Sequence, residues 1–281
     1  MTIAIFGNAR KTSTPDEVAH LLDFMQSRGV DVVLSAELRH ELELRDYANF
    51  STCEEPIDFA LSVGGDGTFL TTAALIGNRN IPIVGINIGH KGFLADVQTS
   101  EVDVIMDQLI RGDYTIEQRS LLNVTCDQNI EISMPNALNE IAILKQGLSS
   151  MLMVNAVVNN QPLTTYKADG LVIATPTGST AYNMSIGGPI LMPQARGILL
   201  SPIASHSLTM RPIVIPDDWE IDLDVHSRNG SFMVSVDGRS QILNDNIHLH
   251  IAKAPYTIKV VQVGHNSFIQ SLKDKLLWGA N

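Results

Sequence analysis

The chain is short of several things, and each shortage excludes a class of protein. Cysteine occurs only at Cys53 and Cys126 and never as C-x-x-C, which removes support for thiol-redox and zinc chemistry and points to two reduced, structural thiols. Aromatics make up 5% of the 281 residues, so small and β-branched side chains must build the core. Lys and Arg number 19 against 30 Asp and Glu, a net charge of −11. No basic cluster resembles a phosphate-backbone footprint, so nucleic acid is not an expected partner. No run of about 18 apolar residues occurs, so neither a membrane span nor a membrane partner is expected. The opening "MTIAIFGNARKTSTPDE" lacks a charged lead followed by a long apolar stretch. No signal peptide is expected, and a cytoplasmic location is. The eight histidines show no H-E-x-x-H or similar spacing, and no metal ligand is assigned. G-x-x-x-x-G-K-[ST] is absent and "GNARKT" is no G-x-G-x-x-G, which removes the P-loop and the ordinary dehydrogenase fingerprint.

What is present alternates strand and helix through the first half. "TIAIFGN", "DVVLSA", "IDFALSV" and "IPIVGINIG" read as strands. Between and after them come helical stretches. The first has a T-x-x-E capping box at Thr14–Glu17 with Pro15 inside it, a weaker one falls near 36–48, "TFLTTAALIG" follows, and "SEVDVIMDQLIRGDY" has Ser100 as its cap. That order implies a parallel sheet flanked by helices. From about residue 119 short alternating β runs take over, punctuated by Asn229-Gly230 and Asp237-Gly238. Only "SFIQSLKDKLLWG" is helical again. The expected fold is α/β plus all-β: a Rossmann-like parallel-sheet domain, 1–118 plus about 265–281, and a β-rich, sandwich-like domain, 119–264, with the final helix returning to the first domain.

Two stretches carry chemistry. "LSVGGDGTFL" (61–70) sets Asp66 among three glycines where a strand hands over to a helix. Glycine permits close approach to the backbone, and a helix N-terminus favours phosphate. A carboxylate there suits proton abstraction from a hydroxyl or a water-mediated Mg²⁺ contact. A tight turn with Asp66 as helix cap is the plainer alternative. "DGLVIATPTGSTAYNMSIGGPI" (169–190) is rarer, a strand opening into a hydroxyl- and glycine-rich surface.

With "GINIGHKGFLAD" (85–96) and "LNEIAI" (138–143) added, the sequence resembles the NAD kinases, the ATP-NAD 2′-phosphotransferases, over nearly its whole length. The first motif alone is shared with diacylglycerol and sphingosine kinases and, more loosely, phosphofructokinases; the four in this order are specific to NAD kinases. The resemblance implies an active site between the two domains, ATP and NAD as substrates, Mg²⁺ or another divalent cation, and a homo-oligomer, dimer or tetramer. It implies Asp66 as general base on the ribose 2′-hydroxyl, Gly65 and Gly67 beside the nucleotides, and Phe93 and Leu94 walling the adenine. Asn139 and Glu140 would bind dinucleotide polar groups and Asp169 the nicotinamide part. Thr177 and the run Thr180, Ala181, Tyr182, Asn183, Met184 and Ser185 would line the dinucleotide, and Ala204 would contact it from a neighbouring subunit. Lys167 falls where the family chooses between NAD and NADH. Lys91 stands where many relatives carry a neutral residue or arginine. Asp237 and Arg239 read either as site residues or as turn residues. His248 and His250 alternate on one strand face, Met151 and Met153 read as core, and Glu41, Glu43, Arg45 and Asp46 as a solvated face.

Overall fold

The computed structural model describes residues 1–10, 13–89, 92–127, 130–147, 151–264 and 267–277. The chain divides into two compact units, Met1–Gln118 with Ile258–Asn281, and Arg119–Thr257. Among the described residues no helix is long and apolar enough to cross a membrane.

In the first unit, strands β1 (Thr2–Gly7), β2 (Asp31–Leu34), β3 (Ala48–Asn49), β4 (Phe59–Gly64) and β5 (Ile83–Asn87) form a parallel sheet in the order β5-β4-β1-β2-β3. The order reverses at β1, so β1 and β4 flank the switch point where open α/β sheets bind ligands beyond their strand ends. Helices α1 (Thr14–Ser27), α2 (Ala36–Glu41), α3 (Asp66–Ile76) and α4 (Val102–Arg111) fill the connections. On α1, Val18, Leu21, Leu22 and Met25 recur at helical spacing and join Ile3, Ile5, Leu34 and Leu61 in one core. The terminal α6 (Phe268–Leu276) belongs to this unit, with the Phe268 ring 5.9 Å from that of Phe93.

Local signals failed at two helix starts and overran one helix end. The capping box expected at Thr14 does not form: the helix already begins there, and Ser13 sits at the N-cap without a side-chain bond. Thr14 is fully buried instead, its methyl 3.2 Å from where a Cβ on Gly7 would lie. Packing on the end of β1 takes the residue away from capping. Ser100 does not cap α4; a 3₁₀ turn, Thr99–Glu101, precedes that helix, and Gln98 and Glu101 make the reciprocal box. The helix expected near 36–48 is cut to α2, capped by Ser35, whose Oγ accepts from Leu38 N at 3.4 Å.

The second unit is built from two sheets of antiparallel strand pairs. β10 (Leu152–Val158), β11 (Gln161–Ala168), β15 (Ile221–Ser227) and the first part of β18 (Ile247–Gln262) make one sheet. A second sheet runs in the order β14-β13-β12-β9-β16-β17, with β9 (Glu140–Lys145), β12 (Gly170–Ala174), β13 (Ile198–Ile203), β14 (Ile213–Ile215), β16 (Ser231–Val236) and β17 (Arg239–Asn244). Val154, Leu223 and Leu249 of the first sheet pack with Ile141, Ile173 and Phe232 of the second in one core. Burial alternates along β10 and β15, as expected for half-buried strands, whereas β12 is buried on both faces. Its second face carries a small cluster of Ala142, Val172, Ala174 and Leu199, joined by Ile186 and Leu191. The segment after β12 therefore lies folded over the sheet. His248 and His250 do share a face, both reaching Asp222 on β15, at 3.2 and 2.8 Å.

Candidate active site

Asp66 is the first residue of α3, and Gly65 holds the N-cap position in an extended conformation. The carboxylate does not cap its own helix. It reaches 27 to 29 residues along the chain and accepts three consecutive backbone N–H groups: Phe93 to Oδ2 at 2.8 Å, and Leu94 and Ala95 to Oδ1 at 2.9 and 3.0 Å. The helix-cap alternative is thereby set aside. A carboxylate has about four acceptor sites, so among the described residues one remains unfilled, on Oδ2.

One glycine makes this grip possible, and a second makes room for the first turn of α3. A Cβ on Gly92 would lie 1.8 Å from Asp66 Oδ1, and one on Gly64 would lie 2.2 Å from Thr68 Oγ1. Phe93 is half-buried, with Lys275 Nζ 3.9 Å above its ring. Leu94 is 5% exposed, a core side chain that presents its N–H to Asp66. His90 and Lys91 lie outside the described residues.

A cavity of about 540 Å³ opens beside this turn, wholly within the first unit. Phe6, Gly7 and Asn8 line it from the end of β1, Ser35 and Glu37 from the start of α2, and Gly67, Thr68 and Thr71 from α3. Those elements follow three adjacent strands, so the cavity spans about 10 Å across the strand ends at a spacing near 4.8 Å. Phe50 closes another side, edge-on to Phe6 at 4.7 Å, with Arg79 stacked 4.5 Å from its ring.

The second unit brings Asn139, Glu140 and the turn that follows β12 together at the start of β9, whereas Asp169, Lys167 and Ala204 lie toward the other end of that strand pair. Asn139 and Glu140 lie at its first turn of chain, and every backbone group around them is fixed. Asp237 accepts from Leu138 N at 2.7 Å, Asn139 N at 2.8 Å and Glu140 N at 3.1 Å. Thr175 N donates to the Asn139 carbonyl at 2.9 Å, and Thr175 Oγ1 donates to that of Leu138 at 2.5 Å. Gly178 lies so close that a Cβ there would meet the Asn139 carbonyl at 2.1 Å. Against this fixed backbone, Asn139 Oδ1 and Glu140 Oε2 are buried and have no partner among the described residues. Leaving a buried acceptor unmet costs about 1–3 kcal/mol, a cost natural proteins tolerate mainly where a ligand or water completes the bond.

Burial, and the charge of Asp237 beside it, push the Glu140 carboxyl up to about 7, against an opposing hydrogen bond from the Tyr182 backbone. A folded-state value above the ordinary 4.5 means the folded chain holds a proton the unfolded chain has lost. Glu140 therefore favours folding fully below about pH 4.5 and loses that contribution as pH rises to about 7. The upper bound is on the order of 3 kcal/mol. Thermal melts of the ligand-free protein should show Tm falling less between pH 5 and 8 for Glu140→Gln than for wild type. Parallel curves would exclude an elevated Glu140.

Of the residues in the long second motif, Thr177–Thr180 form a buried 3₁₀ turn and Tyr182 is 37% exposed. Thr177 Oγ1 accepts from Arg119 Nη1 at 3.4 Å, and Thr180 Oγ1 is 3.5 Å from the Thr177 carbonyl. Ala181 and Met184 are half-buried and Ser185 is exposed. Asn183 is fully buried, and its polar atoms are taken up internally: Nδ2 donates to the Ser179 and Pro189 carbonyls at 3.1 Å each, and Oδ1 accepts from Ser201 Oγ at 2.7 Å. It staples the segment onto β13. Asp169 is paired with Lys145 at 2.8 Å, a partner sequence reasoning missed because it lies on the neighbouring strand. Lys167 is exposed, and so is Ala204, at φ 46°. Thr175, Gly178 and Gly92 were also missed; the glycines inside "TPTGST" and "GHKGF" were the available signal.

Known proteins match this arrangement end to end. The ATP-NAD kinase N-terminal domain model matches residues 3–114 and the ATP-NAD kinase C-terminal domain model residues 138–263. The chain is 44% identical over 287 residues to an NAD kinase of Bacteroides fragilis strain YCH46, covering 100% of this chain and 99% of the relative. It is 42% identical to one of Porphyromonas gingivalis strain W83, covering 99% and 98%. Among solved structures, yeast NADH kinase complexed with NADH superposes with a TM-score of 0.88 at 22% identity, covering 100% of this chain and 89% of that one. An NAD kinase from Archaeoglobus fulgidus in complex with ATP gives 0.77 at 26% identity, covering 99% of each. With both domain models matched and relatives this similar along the full length, the chain belongs to the NAD kinase family.

Proposed function

We propose that the chain transfers the γ-phosphoryl group of ATP to the 2′-hydroxyl of the adenosine ribose of NAD, giving NADP and ADP. One observation carries the chemistry: a carboxylate at the switch point of the sheet, oriented by three amides, with one acceptor site left on Oδ2. In this reading the ribose hydroxyl gives its proton to that site. Its oxygen bonds to the γ-phosphorus as the bond to the β–γ bridging oxygen breaks, and the electron pair leaves on ADP. The backbone N–H groups opening α3, around Gly65 and Gly67, take phosphate charge, and the cavity over β1 takes the donor's nucleoside. Mg²⁺ or another divalent cation bound to the substrate ATP would supply charge neutralisation at its phosphates. Among the described residues no group of three or more His, Cys, Asp or Glu could hold a metal ion.

Asn139 and Glu140 offer buried, unmet oxygens to the polar edge of the dinucleotide, and Asp169 faces its nicotinamide part with Lys145 holding it. Phe93, Thr177, the run from Thr180 to Ser185 and Lys167 stay in the reading, placed around the dinucleotide; Leu94, expected to wall the adenine, is a core side chain whose N–H supports Asp66. A homo-oligomer, with Ala204 at a subunit contact, and a cytoplasmic location also stay in it. The test is NADP and ADP formation by the purified protein from NAD and Mg-ATP. Equal amounts of both products are expected. Tight NAD binding with no NADP from ATP or polyphosphate would replace the kinase by a dinucleotide-binding regulator.

A further inference from the structure

We propose that Asp237 is a positioning residue for the dinucleotide: its buried carboxylate fixes the Leu138–Glu140 backbone and so sets where Asn139 and Glu140 present their unmet oxygens. This rests on the dinucleotide reading of those two residues and deepens it.

Asp237 opens the turn of the β16–β17 hairpin, at φ 47°, with Gly238 following at φ 81°. An Asp-Gly pair there is what a tight hairpin needs. The hairpin alone does not explain the side chain. Its side chain is 2% exposed, and it turns inward to a loop almost 100 residues earlier, gripping three consecutive amides. Its own N–H donates to the Glu140 carbonyl at 3.0 Å, closing a ring of bonds between the two segments. Arg239 stands 3.9 Å away and donates to the Asn136 carbonyl at 3.2 Å, tying the same loop from its other end.

The geometry repeats that of Asp66 on Phe93–Ala95. In both cases one carboxylate holds three successive N–H groups. The difference lies in what is left over. Asp66 is half-buried and keeps an acceptor site on Oδ2, whereas the Asp237 side chain is enclosed behind the backbone it grips and acts through it. With the main chain of 138–140 held by Asp237 and Thr175, Asn139 Oδ1 and Glu140 Oε2 are side-chain oxygens with no partner among the described residues, and a ligand can complete them. Burial and the Asp237 charge together keep the Glu140 carboxyl protonated more readily than an ordinary one.

The experiment measures KM for NAD and for ATP, and Tm, in Asp237→Asn. Asn keeps the shape, yet its NH₂ must face one of the amide donors. KM for NAD is expected to rise roughly 10- to 100-fold. KM for ATP, whose proposed cavity is in the first unit, should stay within about twofold. Thr175→Val, which removes the bond to the Leu138 carbonyl, should move the same way by less, and stands in if Asp237→Asn does not fold. A merely structural role would raise both KM values together with the loss of Tm, or leave both unchanged, and either result overturns the proposal. Asn139→Ala and Glu140→Gln separate the two levels. If neither affects NAD, the dinucleotide reading fails; if both do while Asp237→Asn and Thr175→Val do not, only the positioning role fails.

Discussion

Asp66→Asn is expected to lower kcat for NADP formation by roughly 10²–10⁴-fold, the range general-base catalysis supplies, while NAD still binds. The argument runs from the three hydrogen bonds. An asparagine of the same shape can keep its carbonyl oxygen toward Leu94 and Ala95, where two donors converge. Its NH₂ must then point at the Phe93 N–H, which now donates to Oδ2 at 2.8 Å. Donor meets donor, at a cost of about 1–3 kcal/mol, and Tm should fall accordingly. The site that would receive the ribose proton is gone as well. Those consequences separate in measurement: calorimetric NAD affinity and Tm report the scaffold, and kcat reports the proton. A folded, NAD-binding variant with kcat within tenfold of wild type would remove Asp66 from the role of base.

How much of this was legible follows from how far each interaction reaches. The parallel sheet was readable because "IAIF", "FALSV" and "IVGI" are buried apolar runs between helical segments, and their burial depends on their own composition. The Gly-Asp-Gly turn was readable because a strand-to-helix handover is a local event. The partners of Asp66 were not, because Phe93–Ala95 arrive by way of β5, after the next crossover. Asp237 was open between site and turn for the same reason: Asp-Gly marks a hairpin at once, while the amides it grips are nearly 100 residues away. Asn183 is set along the dinucleotide by the family resemblance, and its hydrogen-bonding atoms close on Ser179, Pro189 and Ser201, partners that no local signal announces. Thr14 shows the converse, a local signal overridden by burial on the end of β1.

Gly92→Ala should abolish most activity without removing any functional group. The added methyl would sit 1.8 Å from Asp66 Oδ1, 2.6 Å from Cγ and 3.0 Å from Oδ2. Gly92 cannot readily retreat, since its N–H donates to the Ala95 carbonyl at 2.8 Å within the turn that holds Asp66. The carboxylate must swing out, giving up up to three amide bonds of roughly 1.5–3 kcal/mol each for a charged acceptor. The expected result is a kcat loss of about 10²-fold, the effect of a displacement near 1 Å, with a Tm several degrees lower. Gly67, on the same turn, has nothing within 4 Å of its would-be Cβ, so Gly67→Ala should leave Tm unchanged whatever it does to nucleotide binding. A double-mutant cycle identifies the cause. If Gly92→Ala acts through the Asp66 carboxylate, its Tm cost should largely vanish in an Asp66→Ala background, where the space is empty. An equal cost in both backgrounds would place the strain in the Gly92 backbone and detach that glycine from the catalytic carboxylate.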